Sequence, residues 1–282
     1  MPKQIHWFPG HMSKALREIE GKIKAVDVII ELLDARAPLS SINENLEDAT
    51  QNKKKLVILS KIDLADDHQT KLWSEKLSQR YDKVLALDLT KESAEKEIAK
   101  AVNILGEEKR EKDRKKGMKP QPIRAMILGI PNVGKSSLIN RLASRKAAGV
   151  QNKPGFTRGE QWIKVSNDFE LLDTPGVLPM SYENKDKATK LALLGSIKEE
   201  ILPNSDLCMY LLKFLKEKYP NALSRFDIND IGDYLETMKH IAKRRGLIKA
   251  GEEDIEKAES LLLHEFKNGK LGKITLEWLL WR

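Results

Sequence analysis

The sequence predicts an α/β fold: a mainly parallel sheet with helices on both faces, followed by a C-terminal all-helical domain. Three observations carry this. Short apolar runs alternate with helix-forming stretches. One of those runs, Ile123–Gly129, ends in a glycine-rich loop that opens a helix. From about Met180 onward, β-branched runs give way to long helix formers.

The elements follow in order. His6 to His11 is turn-rich and aromatic, and an amphipathic helix is expected over about Ser13–Lys24, with Leu16, Ile19 and Ile23 at helical spacing. Val26–Asp34 reads as a buried strand that runs into Asp34-Ala35-Arg36-Ala37-Pro38. Lys55–Ser60 and Val84–Leu87 read as further strands, with helices around 68–80 and 92–106. Glu107–Lys119 is a run of charge closed by Pro120 and Pro122. It reads as a connector or the exposed end of a helix, because nothing in it can pack a core; an RNA-contacting segment is the alternative. Gln161–Val165 and Phe169–Leu172 are expected to pair as a hairpin. Helices are expected at Lys185–Glu200, Asp206–Lys218, Ile228–Arg245 and Ile255–Lys267. The expected division is residues 1–180, with an N-terminal extension over 1–24 and a charged linker over about 106–121, and then a helical domain over 181–282.

Composition narrows the function classes. The chain has 282 residues, 40% of them hydrophobic, which is enough for a core and excludes disorder throughout. It contains no apolar run long enough to span a membrane. Neither a secretory signal nor a lipidation signal is expected at the ends, so the expected location is cytoplasmic, in a bacterial rather than an organellar compartment. A single cysteine, Cys208, can form neither an internal disulfide nor a thiolate zinc site, and beside Leu207, Met209 and Tyr210 it reads as a small buried hydrophobe. Fifty Lys and Arg against 42 Asp and Glu leave a net charge of +8, which favours an anionic partner such as RNA, phosphate or a membrane face.

The chemistry is concentrated in Gly129-Ile130-Pro131-Asn132-Val133-Gly134-Lys135-Ser136. Two glycines let the backbone turn tightly and aim N–H groups at phosphate oxygens, Lys135 supplies a point charge for the β and γ phosphates, and the Ser136 hydroxyl can ligate Mg2+. The following helix, striped by Leu138, Ile139 and Leu142, turns its N-terminus toward the anion. Downstream, Asp173-Thr174-Pro175-Gly176 follows a strand. Asp173 can reach magnesium through water, and the Gly176 N–H can approach a γ-phosphate. Thr157, in the loop between, can add a second hydroxyl to the metal. Ser60-Lys61-Ile62-Asp63 follows a strand as well. Its Asp63 carboxylate can accept from guanine N1–H and N2–H, which adenine lacks, and the Lys61 stem can cover a base face.

Taken together, these segments resemble the motif set of TRAFAC-class GTPases, in an unusual order, since base recognition precedes the phosphate loop. That order resembles the circularly permuted P-loop GTPases. The opening Trp7-Phe8-Pro9-Gly10-His11-Met12 and the Asp34-Ala35-Arg36-Ala37-Pro38 segment resemble the ribosome biogenesis GTPase A family and its mitochondrial counterparts, with motifs from residue 7 to about 176. The resemblance implies a GTPase switch in late assembly of the large ribosomal subunit, with GTP or GDP, a subunit precursor and its rRNA as partners, no membrane, and a monomer off the ribosome. The nucleotide-binding set it implies is Ser60, Lys61, Asp63, Asn132, Val133, Gly134, Lys135, Ser136, Ser137, Thr157 and Gly176. The base motif usually begins with Asn, whose side chain braces the two loops. Ser60 can make one such bond but is shorter, so guanine selectivity through Asp63 is expected with weaker affinity. The guanine O6 contact is expected near Asp88-Leu89-Thr90, with no residue singled out.

Val177 and Leu178 stand where many GTPases carry a water-orienting Gln, so intrinsic hydrolysis is expected to be slow. His11 is the catalytic candidate that the resemblance implies; capping a turn and contacting RNA are its alternative roles. Asn132 is the candidate ligand for K+, as in related GTPases. Lys239, Lys243, Arg244 and Arg245 form a basic turn suited to RNA phosphates or to plain solvation. Trp278 and Trp281 read as packing or terminal contacts. Two other classes compete. An ATP-dependent phosphotransferase is disfavoured by Asp63, and a membrane-associated signalling GTPase is disfavoured by the expected lack of a lipid anchor.

Overall fold

A computed structural model describes residues 10–119, 121–144, 162–172, 174, 176–178, 185–197 and 202–280, with side chains described from Ser13 to Leu142 and through the later segments. Six strands form one sheet: β1 (Val28–Asp34), β2 (Lys54–Ser60), β3 (Lys83–Ala86), β4 (Ile123–Gly129), β5 (Trp162–Lys164) and β6 (Phe169–Leu172), in the order β3-β2-β1-β4-β6-β5. All neighbours are parallel except β5 and β6, which form the expected antiparallel hairpin.

β1 reads Val-Ile-Ile-Glu-Leu-Leu-Asp with every residue buried, as a central parallel strand covered on both faces requires. Its side chains alternate. Val28, Ile30 and Leu32 join one core with α5 (Ser93–Leu105), α7 (Lys135–Ser144) and α8 (Lys185–Leu193). Ile29 faces α1 (Gly10–Lys22) through Leu16 and Ile19, and α3 (Glu44–Thr50) through Leu46. Leu33 packs with Trp73 and Leu77 of α4 (Asp67–Ser78), which Asp66 caps by accepting from the Gln69 N–H at 2.8 Å.

The sheet reverses direction at β1. The chain steps outward through β2 and β3, then returns to place β4 on the other side. Such a switch point opens a crevice at the carboxyl ends of the strands. The register aligns those ends, with Asp34 opposite Ser60 and Leu32 opposite Gly129, so the three loops that follow β1, β2 and β4 share one edge.

The charged run is helical, one of the two forms its sequence allowed. Residues 107–115 form a helix, α6, which docks through polar contacts: Lys109 Nζ lies 3.2 Å from Asp27, Arg110 donates to the Asp168 carbonyl at 3.1 Å, and Asp113 is buried. Two expected helices are shorter. α8 stops at Leu193 because Gly195 takes a left-handed turn, φ 74°. α10 spans Tyr234–Arg245, not Ile228–Arg245. A 3-10 turn over Pro220–Phe226 and the Asp233 N-cap precede it, and the buried Ile228 and Ile231 sit in extended chain.

α9 (Asn204–Lys218), α10 and α11 (Ile255–Lys267) bury a second core that includes Leu211, Phe226, Ile241 and Leu262. α8 serves both cores, giving Ala188 and Leu191 to the sheet and Ala192 and Leu193 to the helices. Cys208 lies in the helical core, and burial, with Glu259 nearby, pushes its thiol up to about 12, so it acts as a small apolar side chain.

Candidate nucleotide site

The phosphate loop has the backbone its sequence demands. Gly129 and Gly134 adopt φ 151° and 103°, and a Cβ on Gly129 would meet the Leu32 carbonyl oxygen at 2.8 Å. Asn132 also takes a left-handed conformation, φ 61°, which asparagine tolerates. Val133 is buried beneath the loop, and Ser136 and Ser137 are exposed in the first turn of α7. Lys135 Nζ donates to the Gly129 and Ile130 carbonyls at 3.0 and 2.8 Å, which holds the ammonium inside the loop.

Gly176 lies directly against this loop. A Cβ there would stand 2.9 Å from Lys135 Nζ and 3.0 Å from Pro131. Thr174 donates to the Ile127 carbonyl, and Asn43 Nδ2 donates to the Val177 carbonyl at 2.9 Å, so the segment is fixed on both sides of Gly176. Val177 and Leu178 are fully buried and pack in the cores on opposite faces of the sheet. They anchor the segment and present no polar group to a water.

Ser60 answers the question raised by its substitution for Asn. Its buried hydroxyl lies 2.7 Å from the Val133 carbonyl and 3.0 Å from the Leu33 carbonyl. A single hydroxyl at the end of β2 therefore reaches the phosphate loop at the end of β4. The next residue, Lys61, is left-handed (φ 56°), and Asp63 is exposed in the turn that follows. The 88–90 loop also borders the site. Asp88 accepts from the Thr90 N–H at 2.9 Å, Arg141 of α7 holds the Thr90 carbonyl, and Leu89 is buried toward Gly134.

The remaining expected site residues are distributed as follows. Thr157 and Asp173 lie outside the described residues, as does Trp281. The backbone of His11 is in the first turn of α1, and its side chain is not among those described. The Asn132 amide donates to the Gly195 carbonyl at 2.6 Å, just beyond α8. Lys239 and Lys243 are exposed on α10, whereas Arg244 pairs with Asp227 at 2.5 Å and Arg245 with Glu265 at 3.5 Å, over the Phe226 ring.

Sequence reasoning missed one part of the site. It used Asp34-Ala35-Arg36-Ala37-Pro38 only as a family mark. In the structure Asp34 forms a buried bidentate pair with Arg36, accepting from Nε at 2.9 Å and Nη2 at 2.8 Å, and Lys61 Nζ lies 3.2 Å from the same carboxylate. Burial alone would raise the Asp34 carboxyl, but the Arg36 and Lys61 charges and hydrogen bonds outweigh it and hold it down at about 2. The available signal was an acid and a base two residues apart at the end of a wholly buried strand, which need each other once buried.

A phosphate loop at the end of β4, the 60–63 loop before it in sequence but beside it in space, and Gly176, beyond the end of β6, pressed on the phosphate loop define the class: a circularly permuted P-loop GTPase with a mostly parallel sheet. The comparisons with known proteins agree. Residues 124–248 match the family model described as 50S ribosome-binding GTPase. Ribosome biogenesis GTPase A of Bacillus cereus is 44% identical over 97% of this chain and 93% of its own, and that of Priestia megaterium is 43% identical over 97% and 96%. A GDP-bound YlqF structure superposes with a TM-score of 0.66 at 27% identity, covering 93% of this chain and 98% of that one. The chain belongs to the ribosome biogenesis GTPase A family.

Proposed function

We propose that the protein hydrolyses GTP as a switch in late assembly of the large ribosomal subunit, docking on the precursor particle in one nucleotide state and leaving it in the other. The observation that carries this reading is the Ser60 hydroxyl on the Val133 carbonyl, which makes the base loop and the phosphate loop one site. Val133, Gly134, Lys135, Ser136 and Ser137 would hold the phosphates, while Lys61 and Asp63 would hold guanine.

Mg2+ is the family's usual metal. The exposed Ser136 hydroxyl at the N-terminus of α7 suits it as an oxygen ligand, with Thr157 and Asp173 as the further candidates. The ion would neutralise charge on the β and γ phosphates. Lys135 and the loop amides would bind and orient those phosphates, and Gly176 would sense the terminal one. His11 is proposed to position the attacking water, and Asn132 Oδ1 to ligate K+ while its amide stays on Gly195. Because Val177 and Leu178 are buried, the intrinsic rate should be slow and should rise when rRNA orders the N-terminal segment.

Residues 1–180 are proposed as the GTPase domain and 181–282 as the RNA-binding domain, with Lys239, Lys243, Arg244 and Arg245 on the RNA face and α8 carrying γ-phosphate state between the two cores. No helix among the described residues is long and apolar enough to cross a membrane, and a cytoplasmic monomer off the ribosome fits this work.

The deciding measurement is GTP turnover in potassium and in sodium, with and without purified large subunits, on the natural protein and on His11→Ala. Stimulation by subunits that His11→Ala abolishes, with binding retained, supports the reading. Absence of both stimulation and nucleotide-dependent binding would reject the ribosomal switch. Equal rates in the two salts would reject the role of Asn132.

A further inference from the structure

Arg36 is among the largest fully buried side chains of the protein, and GTP hydrolysis as described above gives it no task. A buried ion pair is by itself weak evidence for stability, since apolar side chains would fill the same volume at lower desolvation cost. This pair differs because both members reach beyond it. On one side the Asp34 carboxylate meets Lys61, the residue expected over the guanine face. On the other, Arg36 Nη1 donates to the Lys267 carbonyl at the end of α11 at 3.1 Å, and its guanidinium lies 6.0 Å from the Phe266 ring centroid.

A second path runs alongside. After α11 the chain returns to the sheet edge, where the Ile274 N–H donates to the Leu64 carbonyl at 3.0 Å and the Leu276 N–H to the Arg36 carbonyl at 2.6 Å. Thr275 Oγ1 accepts from the Asp66 N–H at 3.1 Å. The 60–66 loop is thus held between the β1 loop and the chain's last segment. Lysine has a long stem whose freedom is lost on stacking, so holding it in place beforehand lowers the cost of binding.

We propose that Asp34 and Arg36 are positioning residues for guanine recognition, fixing Lys61 and joining the 60–66 loop to residues 266–277, so that filling the base site and seating this C-terminal segment are coupled. The coupling is reciprocal: a partner that shifts the segment changes guanine affinity, and guanine steadies the segment. This rests on the reading of 60–63 as the base loop. It adds a route to the helical region through the base, separate from the one through Gly176.

The test uses the full chain. Lys61→Met keeps the aliphatic stem and loses the ammonium. Arg36→Lys keeps a charge beside Asp34 but cannot also reach the Lys267 carbonyl. Affinity is measured for a fluorescent GDP, and inorganic tripolyphosphate is measured by competition. Hydrogen exchange is followed at Ile274 and Leu276. Both variants should weaken GDP by about tenfold, as expected for losing a charge-assisted contact, with tripolyphosphate changed less than about twofold. In the natural protein GDP, but not tripolyphosphate, should slow exchange at both amides, and Arg36→Lys should blunt this. Unchanged GDP affinity in both variants, or exchange at the two amides that ignores GDP, would overturn the proposal. If Arg36→Lys loses tripolyphosphate as well, it has disturbed the whole fold, and Lys61→Met with the exchange data decides. Asp63→Ala separates the two readings: full guanine affinity in that variant would remove the base-loop assignment itself.

Discussion

Ser60→Ala isolates one atom that joins two loops. The hydroxyl is fully buried and lies 2.7 Å from the Val133 carbonyl and 3.0 Å from the Leu33 carbonyl, so one proton serves two acceptors and the shorter contact is the stronger. Removing it deletes a neutral hydrogen bond worth about 0.5–1.5 kcal/mol net and leaves the Val133 carbonyl without this donor, for a stability cost of about 1–3 kcal/mol. The effect on nucleotide affinity is bounded by the bond itself. Without the tie, the phosphate loop and the base loop move more independently, and binding must then freeze that freedom. At most about 0.5–1.5 kcal/mol is lost, a two- to tenfold weakening. Titration with a fluorescent GDP gives the affinity, and urea unfolding gives the stability. Ser60→Asn, which restores the amide usual at this position, should recover affinity only if the fully buried site can expand, and overpacking costs about 1–3 kcal/mol. Affinity within experimental error of the natural protein for Ser60→Ala would refute the idea that this hydroxyl braces the two loops.

Three further outcomes follow from the same structure. Burial, with Glu47 adding to it, raises the Glu31 carboxyl to about 8 from an ordinary 4.5; the native state therefore holds an extra proton between those values, and this contribution, present below 4.5, is lost as pH rises through 8. Glu31→Gln should flatten the fall in stability between pH 5 and 8 in urea titrations, and an unchanged slope would show that Glu31 does not titrate there. Glu277 accepts from the Leu39 and Ser40 N–H groups at 2.6 and 3.0 Å, so Glu277→Ala should cost about 2–4 kcal/mol in unfolding experiments, with a near-zero change counting against the contact. Lys239→Ala with Lys243→Ala should reduce the salt dependence of binding to large subunits by about 0.7–0.9 per lost phosphate contact, whereas Arg245→Ala, which also breaks the Glu265 pair, should lower stability in addition to binding.

The parts legible in the sequence are those whose physics is local. A phosphate loop needs its two positive-φ glycines within one turn, and a central strand needs apolar residues on both faces, so the sequence placed Gly129–Ser136 and a strand over Val26–Asp34, observed as Val28–Asp34. Ser60 was legible as a departure from the usual Asn, but whether its hydroxyl would reach Val133, 73 residues away, depended on the β1 pairing that sets β2 and β4 on either side of one strand. The C-terminal segment was not legible at all. Ile274 to Glu277 has no periodicity and no motif, and its bonds to Leu64, Asp66, Arg36 and Ser40 run to residues more than two hundred positions earlier. Trp278 read as a terminal packing residue, and it does pack, edge-on to Tyr219 at 5.7 Å between ring centroids. What it packs is the Tyr219 hydroxyl, which donates to the Thr275 carbonyl at 3.4 Å, accepts from the Thr275 N–H at 3.0 Å, and so pins the strap that meets the base loop. The 60–66 loop leads through α4 into β3, which pairs with β2, and it is held on its other side by Ile274 and Thr275. The proposed base loop thus touches the chain beyond α11, while the phosphate loop touches the turn after α8 through the Asn132 amide on the Gly195 carbonyl.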